Sequence, residues 1–254
     1  MNEIIVFDRK LKKLHRDRAV GLLANHDFLL REATSRLTQH LEGISKEFQL
    51  ALDLGGRGMI DVPPNIKKII RTDASIKNRP QLVADEEFLP FKENSFDLIL
   101  SLLSLHWVND LPGALIQIRR ILKGNGLFIG SMFGPETLSE LRQAIMAAEM
   151  DAGISPRVSP FADIKTAAGL LQRAGFSMPV ADAEKITVLY PDAYKLMHDL
   201  RGMGEGNALV KRRKNFTARG TMKKIGEKYR EMFVDKEGLI PATFEIITLT
   251  GTRD

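Results

Sequence analysis

Residues 50–58 read Leu50-Ala51-Leu52-Asp53-Leu54-Gly55-Gly56-Arg57-Gly58, an apolar run that closes on an acid and then on glycines. The run predicts a strand over Leu50–Leu54, and the glycines predict a turn in which backbone can approach a ligand closely. Further runs of this kind follow at Lys68–Arg71, Gln81–Ala84, Asp97–Ser101 and Leu127–Ser131. A helix is predicted between the last two, over Asp110–Leu122, with Asp110 as N-cap, Pro112 in the first turn and Lys123-Gly124 at its end. Upstream, Leu11, Leu14, Leu22, Phe28, Ala33, Leu37, Leu41 and Ile44 recur at turn spacing, so residues 9–45 read as helical. Downstream, helices are predicted over Pro135–Met150 and Asp163–Ala174, and near Asp192–Arg201 and Thr217–Phe233, with late strands at Ile186–Leu189 and Phe244–Thr250. Strands alternating with helices argue for an α/β fold with helices on both faces of a parallel sheet.

No internal repeat or low-complexity linker interrupts the chain, so one elaborated domain over residues 1–254 is expected. Its parts would be N-terminal helices (1–45), a core sheet (46–190), a helical cover (191–235) and a final strand (236–254). With 44% hydrophobic and 27% charged residues, the composition is that of a soluble globular protein. The absence of cysteine excludes disulfides, thiolate zinc sites, iron–sulfur ligation and a cysteine nucleophile. The opening MNEIIVFDRKLKKLHRDRA carries no apolar segment of a secretory signal, and no run approaches the roughly 18 apolar residues of a membrane span. These features lead to the expectation of a cytoplasmic protein. Net charge is a mild +5, but Lys211–Arg230 holds nine bases and one acid. That stretch is a candidate docking face for an acidic partner, or simply a solvated helix face. Only two aromatics interleave with it, so nucleic acid is not the expected partner.

In an open α/β sheet, ligands bind at the carboxyl ends of the strands. Four features fall there. Asp53 with Gly55, Gly56 and Gly58 could organise a loop around a cationic ligand, or form only a tight turn. Asp73, twenty positions on, is placed to accept both hydroxyls of a ribose diol, or to cap a helix. Asp85 and Glu86 could accept from an exocyclic amine, with Phe88–Phe91 sandwiching a ring. SLLSLHWVND supplies His106 and Trp107 as a pocket wall or as core. The nicotinamide fingerprint is broken by Asp61, and there is neither a Walker loop nor a nucleophile elbow. The five histidines show no local metal-ligand spacing, so no metal site is expected unless distant ligands converge. His106 and Tyr190 are the candidate general bases.

These features, in this order, resemble the class I S-adenosylmethionine-dependent methyltransferases. The resemblance implies a Rossmann-like, seven-stranded sheet, S-adenosyl-L-methionine as cofactor, and cofactor contacts from Asp53, Gly55, Gly56, Gly58, Asp73, Asp85 and Glu86. ILKGNGLFIGSMFG at 121–134 is similar to the family's fifth strand. FDR at 7–9, ADEEFLPFKENSFDL, LSLHWVNDLP, SPF at 159–161 and LRGMGEGNA at 200–208 resemble the subgroup of methyltransferase-like assembly factors of respiratory complex I. That subgroup is described as hydroxylating an arginine of a complex I subunit, which implies a protein acceptor. The malonyl-carrier-protein methyltransferases of biotin synthesis are a more distant likeness, implying a carrier-protein or small-molecule acceptor. Two departures bear on the cofactor loop. The family's glycines stand second, fourth and sixth after the acid, whereas here they stand second, third and fifth. Pro63-Pro64 also forbids a regular helix where the first crossover helix belongs, at about 3 kcal/mol or more per interior proline. The alternative to an enzyme is therefore a non-catalytic assembly or binding protein that keeps the fold.

Overall fold

The computed structural model describes residues 5–150, 155–215 and 217–254. The chain divides into two compact units. One comprises residues 27–133, 162–183 and 246–254 and holds the carboxyl ends of the parallel strands; the other comprises 1–26, 134–161 and 184–245 and is mainly helical.

Among the described residues, seven strands form one sheet in the order β3-β2-β1-β4-β5-β7-β6, matching the seven-stranded expectation. They are β1 (Ala51–Leu54), β2 (Ile69–Asp73), β3 (Leu82–Val83), β4 (Phe96–Ser101), β5 (Leu122–Phe133), β6 (Ser177–Tyr190) and β7 (Ile240–Arg253). The first five run parallel, and β7 pairs antiparallel with β5. Every residue of β1 is buried, as a central strand covered on both faces requires. The order reverses between β1 and β4, the point where such sheets open a ligand crevice.

In the sheet unit, α2 (Phe28–Glu42), α3 (Leu111–Ile121) and α5 (Ile164–Arg173) supply the covering layers. Leu115, Ile118 and Ile121 of α3 join Phe96, Ile99, Phe128 and Leu171 in the core. Helix α3 starts where its sequence says: Asp110 accepts from Gly113 N at 2.8 Å, with Pro112 in the first turn. Strand β5 begins earlier than its apolar run, because Leu122 already pairs with Phe96 before a register shift brings Leu127 against Leu98. Asn125, at φ 59°, turns the chain within that irregularity. No helix connects β1 to β2, as the double proline requires.

The helical unit contains α1 (Arg9–Ala19), α4 (Ser139–Glu149), α6 (Ala193–Gly202) and α7 (Arg219–Phe233), with α4 packed on α7. Helix α4 starts later than the sequence predicts. Leu138 sits in the left-handed region at φ 56°, and its N–H bonds the Thr243 carbonyl at 2.7 Å. Thr137 and Glu245 add a reciprocal pair of hydrogen bonds, so residues 135–138 serve β7 rather than the helix. Strand β6 is also longer than Ile186–Leu189. It lies at the sheet's edge, and its largely exposed side chains include Pro179, Asp182 and Lys185, which suit an unpaired edge.

Candidate functional site

At the carboxyl edge of β1 the chain buries a carboxylate. Asp53 is fully buried; its Oδ1 accepts from Gly56 N at 3.0 Å, while its Oδ2 has no hydrogen-bond partner among the described residues. The nearest cation, Arg71 Nε on β2, stands 4.0 Å from that oxygen, beyond bonding distance. Burial, and then the charge of Asp73, push the Asp53 carboxyl up to about 7; the Gly56 N–H and Arg71 only partly oppose this. A carboxylate so placed is poised to take a proton or to meet a cation near neutrality.

The glycines fit closely around it. A Cβ at Gly56 would collide with the Asp53 carboxylate, and one at Gly55 would collide with Ser104 Oγ and Glu86 Oε1. Gly55 and Gly58 both hold φ 73°, a region that costs any residue with a Cβ, and around Gly58 there is open space. The slipped glycines therefore do serve the turn, each by a different constraint.

Asp73 ends β2, nearly fully buried, and its Oδ1 accepts from Ser75 N at 2.7 Å. Glu86 is equally buried and is held by the Ser104 hydroxyl. Asp53, Gly55, Gly56, Asp73 and Glu86 are thus brought together at one end of neighbouring parallel strands. Asp85 departs from that group: half-buried, it accepts from Glu87 N at 2.9 Å in a local turn. Phe88, expected against a ring, is 75% exposed. Ser104 was not legible as a site residue, since it is one of two serines in an otherwise apolar SLLSLHW; its polarity at a strand end is the available signal.

His106 and Trp107 are buried, with His106 packed 4.6 Å from the Phe133 ring, centroid to centroid. Phe133 N–H donates to His106 Nδ1 across a long 3.4 Å. The buried ring, packed between Trp107 and Phe133, suits a positioned wall better than a solvent-facing base. Tyr190 belongs to the helical unit, buried, with its hydroxyl beside Asp199. The bases of 211–230 are partly committed: Arg212 pairs with Asp8 at 3.3 Å, Lys228 with Glu231 at 2.7 Å, and Arg230 donates to the carbonyls of Pro191 and Gly238. The helical unit also contains a cavity of about 600 Å³, lined by Val6, Pro156, Phe161, Leu209 and the cations Arg142 and Lys211.

Residues 58–130 match the family described as "Methyltransferase domain". The chain is 44% identical to "Arginine-hydroxylase NDUFAF5, mitochondrial" of Homo sapiens, across 98% of this chain and 77% of that one. It is 32% identical to the malonyl-acyl-carrier-protein O-methyltransferase of Halorhodospira halophila, across 86% of this chain and 79% of that protein. Among solved structures, a SAM-dependent methyltransferase from Thermotoga maritima shares the fold with a TM-score of 0.53 at 17% identity, covering 94% of this chain and 99% of that one. One expectation is overturned. The cytoplasmic location does not stand against relatives whose names place them in mitochondria. Its physical basis was too coarse, because the apolar pattern of a chain does not specify its compartment. Among the described residues no helix is long and apolar enough to cross a membrane. By identity over nearly its whole length, the chain belongs to the family of the NDUFAF5 arginine-hydroxylases, built on the fold of the class I S-adenosylmethionine-dependent methyltransferases.

Proposed function

We propose that this chain binds S-adenosylmethionine at the carboxyl edge of β1 and β2, and that it modifies an arginine side chain of a protein acceptor, a subunit of respiratory complex I, in mitochondria. The observation that carries the binding half is the buried Asp53 carboxylate with one oxygen unsatisfied, beside glycines that leave no room for a side chain. A buried carboxylate oxygen without a hydrogen bond costs about 1–3 kcal/mol, and a cationic group seated there would recover that cost. The donor set suits the cofactor: Asp53 would answer its positive charge, Asp73 would accept from the ribose hydroxyls, and Glu86, held by Ser104, would accept from the base. When bound, the sulfonium supplies an activated methyl group. The protein's share is orientation and exclusion of water, with His106 and Trp107 as part of the apolar wall. The acceptor and the location rest on the relatives' names and on the subgroup resemblance.

One observation favours a second reading, a non-catalytic assembly protein on the same fold. The turn after β1 opens no helix, so the cofactor's carboxylate would lack the N–H groups of a helix N-terminus. Calorimetric titration with S-adenosylmethionine and S-adenosylhomocysteine separates the two. Micromolar binding of both supports the enzyme, and no heat from a folded protein supports the scaffold. Asp73→Asn keeps an acceptor for Ser75 N but loses the charge and one acceptor. Its expected effect is a loss of about 3 kcal/mol, roughly a hundredfold in Kd, with an unchanged circular dichroism spectrum. Unchanged affinity would remove Asp73 from the site. Incubation with a complex I subunit then distinguishes methylation from hydroxylation by mass, as the gain of a methylene or of an oxygen on arginine.

A further inference from the structure

Within the helical unit, ligands from distant sequence positions converge. Helix α6 carries His198 and Asp199, and His26, just beyond α1, meets them across a separation of 173 residues from Asp199. His26 Nδ1 stands 2.8 Å from Asp199 Oδ1, and the two imidazole rings lie 5.0 Å apart, centroid to centroid. One ligating atom from each of His26, His198 and Asp199 lies within 4.8 Å of the other two. At 2.8 Å this edge is a hydrogen bond; two bonds of about 2.0–2.1 Å to one ion at a tetrahedral angle would put the donors about 3.3 Å apart, a small opening of the pair.

Three further observations point to a ligand rather than to a plain ion pair. The His26 ring is pressed in place by α6, which can approach it only because residue 202 is glycine; a Cβ there would collide with the ring. His26 and Asp199 are buried while His198 is exposed, which leaves a path for an ion from solvent. Tyr190 sets its buried hydroxyl beside the same Asp199 carboxylate, a polar group positioned next to the proposed ligand.

We propose that His26, His198 and Asp199 form a site for a divalent first-row transition metal ion, Zn²⁺ or Fe²⁺ in chemical class. Two imidazoles and one carboxylate suit such ions and leave coordination positions open to water. Lys195, whose Nζ now donates to Asp199 Oδ1 at 2.9 Å, is the cation the metal would displace.

The test uses the full chain, stripped of metal with a chelator. Co²⁺ is titrated in and followed by its visible absorption, with Zn²⁺ and anaerobic Fe²⁺ as competitors. One equivalent of Co²⁺ is expected, displaced more readily by Zn²⁺ than by Fe²⁺. His198→Ala removes an exposed ligand without disturbing the fold. It should weaken binding by at least about a hundredfold, since even outer-shell partners are worth about 10–100-fold. Lys195→Met removes the competing cation and should tighten binding by roughly tenfold. No stoichiometric Co²⁺ site in the wild type, or equal affinity in His198→Ala, overturns the assignment, as does a Lys195→Met protein that binds no tighter.

Discussion

Asp53→Asn is expected to abolish a pH dependence of stability worth about 2–3 kcal/mol between about pH 5 and pH 8. Asp53 titrates near 3.8 when unfolded and is pushed up to about 7 in the fold, mainly by burial. A group whose folded value is raised contributes stability in full below its unfolded value, and that contribution is lost as pH rises towards the folded value. The window is therefore about pH 4 to 7, and above it the wild type carries a penalty of up to roughly 4 kcal/mol from an ionised, half-satisfied carboxylate. Asparagine keeps the acceptor for Gly56 N but cannot ionise. Urea unfolding across this range should show the wild type weakening with rising pH while the variant stays level. Parallel curves for the two proteins would show that Asp53 is solvated after all. The same property bears on the proposed cofactor, because a sulfonium seated beside Asp53 favours its ionised form. Binding near neutrality should then release protons, seen as heats that depend on the ionisation enthalpy of the buffer.

Arg157→Ala is expected to destabilise the helical unit by about 3–5 kcal/mol, the cost of leaving a buried charge without its partner. Glu149 closes α4 with its side chain 1% exposed, and it accepts from Arg157 Nε at 3.0 Å and from Ser155 N at 3.2 Å. Arg157 itself is fixed from its other side by a 2.8 Å bond to Thr217 Oγ1. Burial alone would raise the Glu149 carboxyl, yet the hydrogen bonds from Arg157 and Ser155 outweigh it and hold the group below the usual carboxylate range. The stability this provides is present above the unfolded value and is lost as pH falls through the lower folded one. In Arg157→Ala the glutamate escapes its penalty by taking a proton, so the deficit should shrink in acid. A double variant, Glu149→Gln with Arg157→Ala, should recover much of the loss, since removing both members of a buried pair costs far less than removing one. An unfolding midpoint in the single variant within a few tenths of a kcal/mol of wild type would mean the pair is solvent-screened.

Much of the architecture was legible because it follows from local rules. Apolar runs closed by a polar or glycine-rich turn located β1, β2 and β4, and Asp110 with Pro112 located the start of α3 within a residue. Pro63-Pro64 excluded the first crossover helix, which the fold indeed lacks. The reading failed where a segment's hydrogen bonds go to distant chain: residues 135–138 looked helical but are claimed by β7, and the length of β6 is set by its neighbour rather than by its own pattern. Of the candidate site residues, those at strand ends were found from sequence, because period and position fix where a strand's last side chain lies. Whether Asp85 or Glu86 turns inward was not, since that depends on a two-residue turn and on Ser104, 18 positions away from Glu86.

By itself, then, the sequence determined the α/β class, the buried central strand, the acids at its carboxyl edge and the family to which the chain belongs. These depend on residue type and spacing along a few turns or strands. The tertiary structure alone decided which oxygen of Asp53 goes unsatisfied, that Glu86 rather than Asp85 is held in place, and that His26 meets His198 and Asp199. Burial, charge proximity and ligand geometry are properties of chain segments far apart in sequence, and only packing brings them within hydrogen-bonding reach.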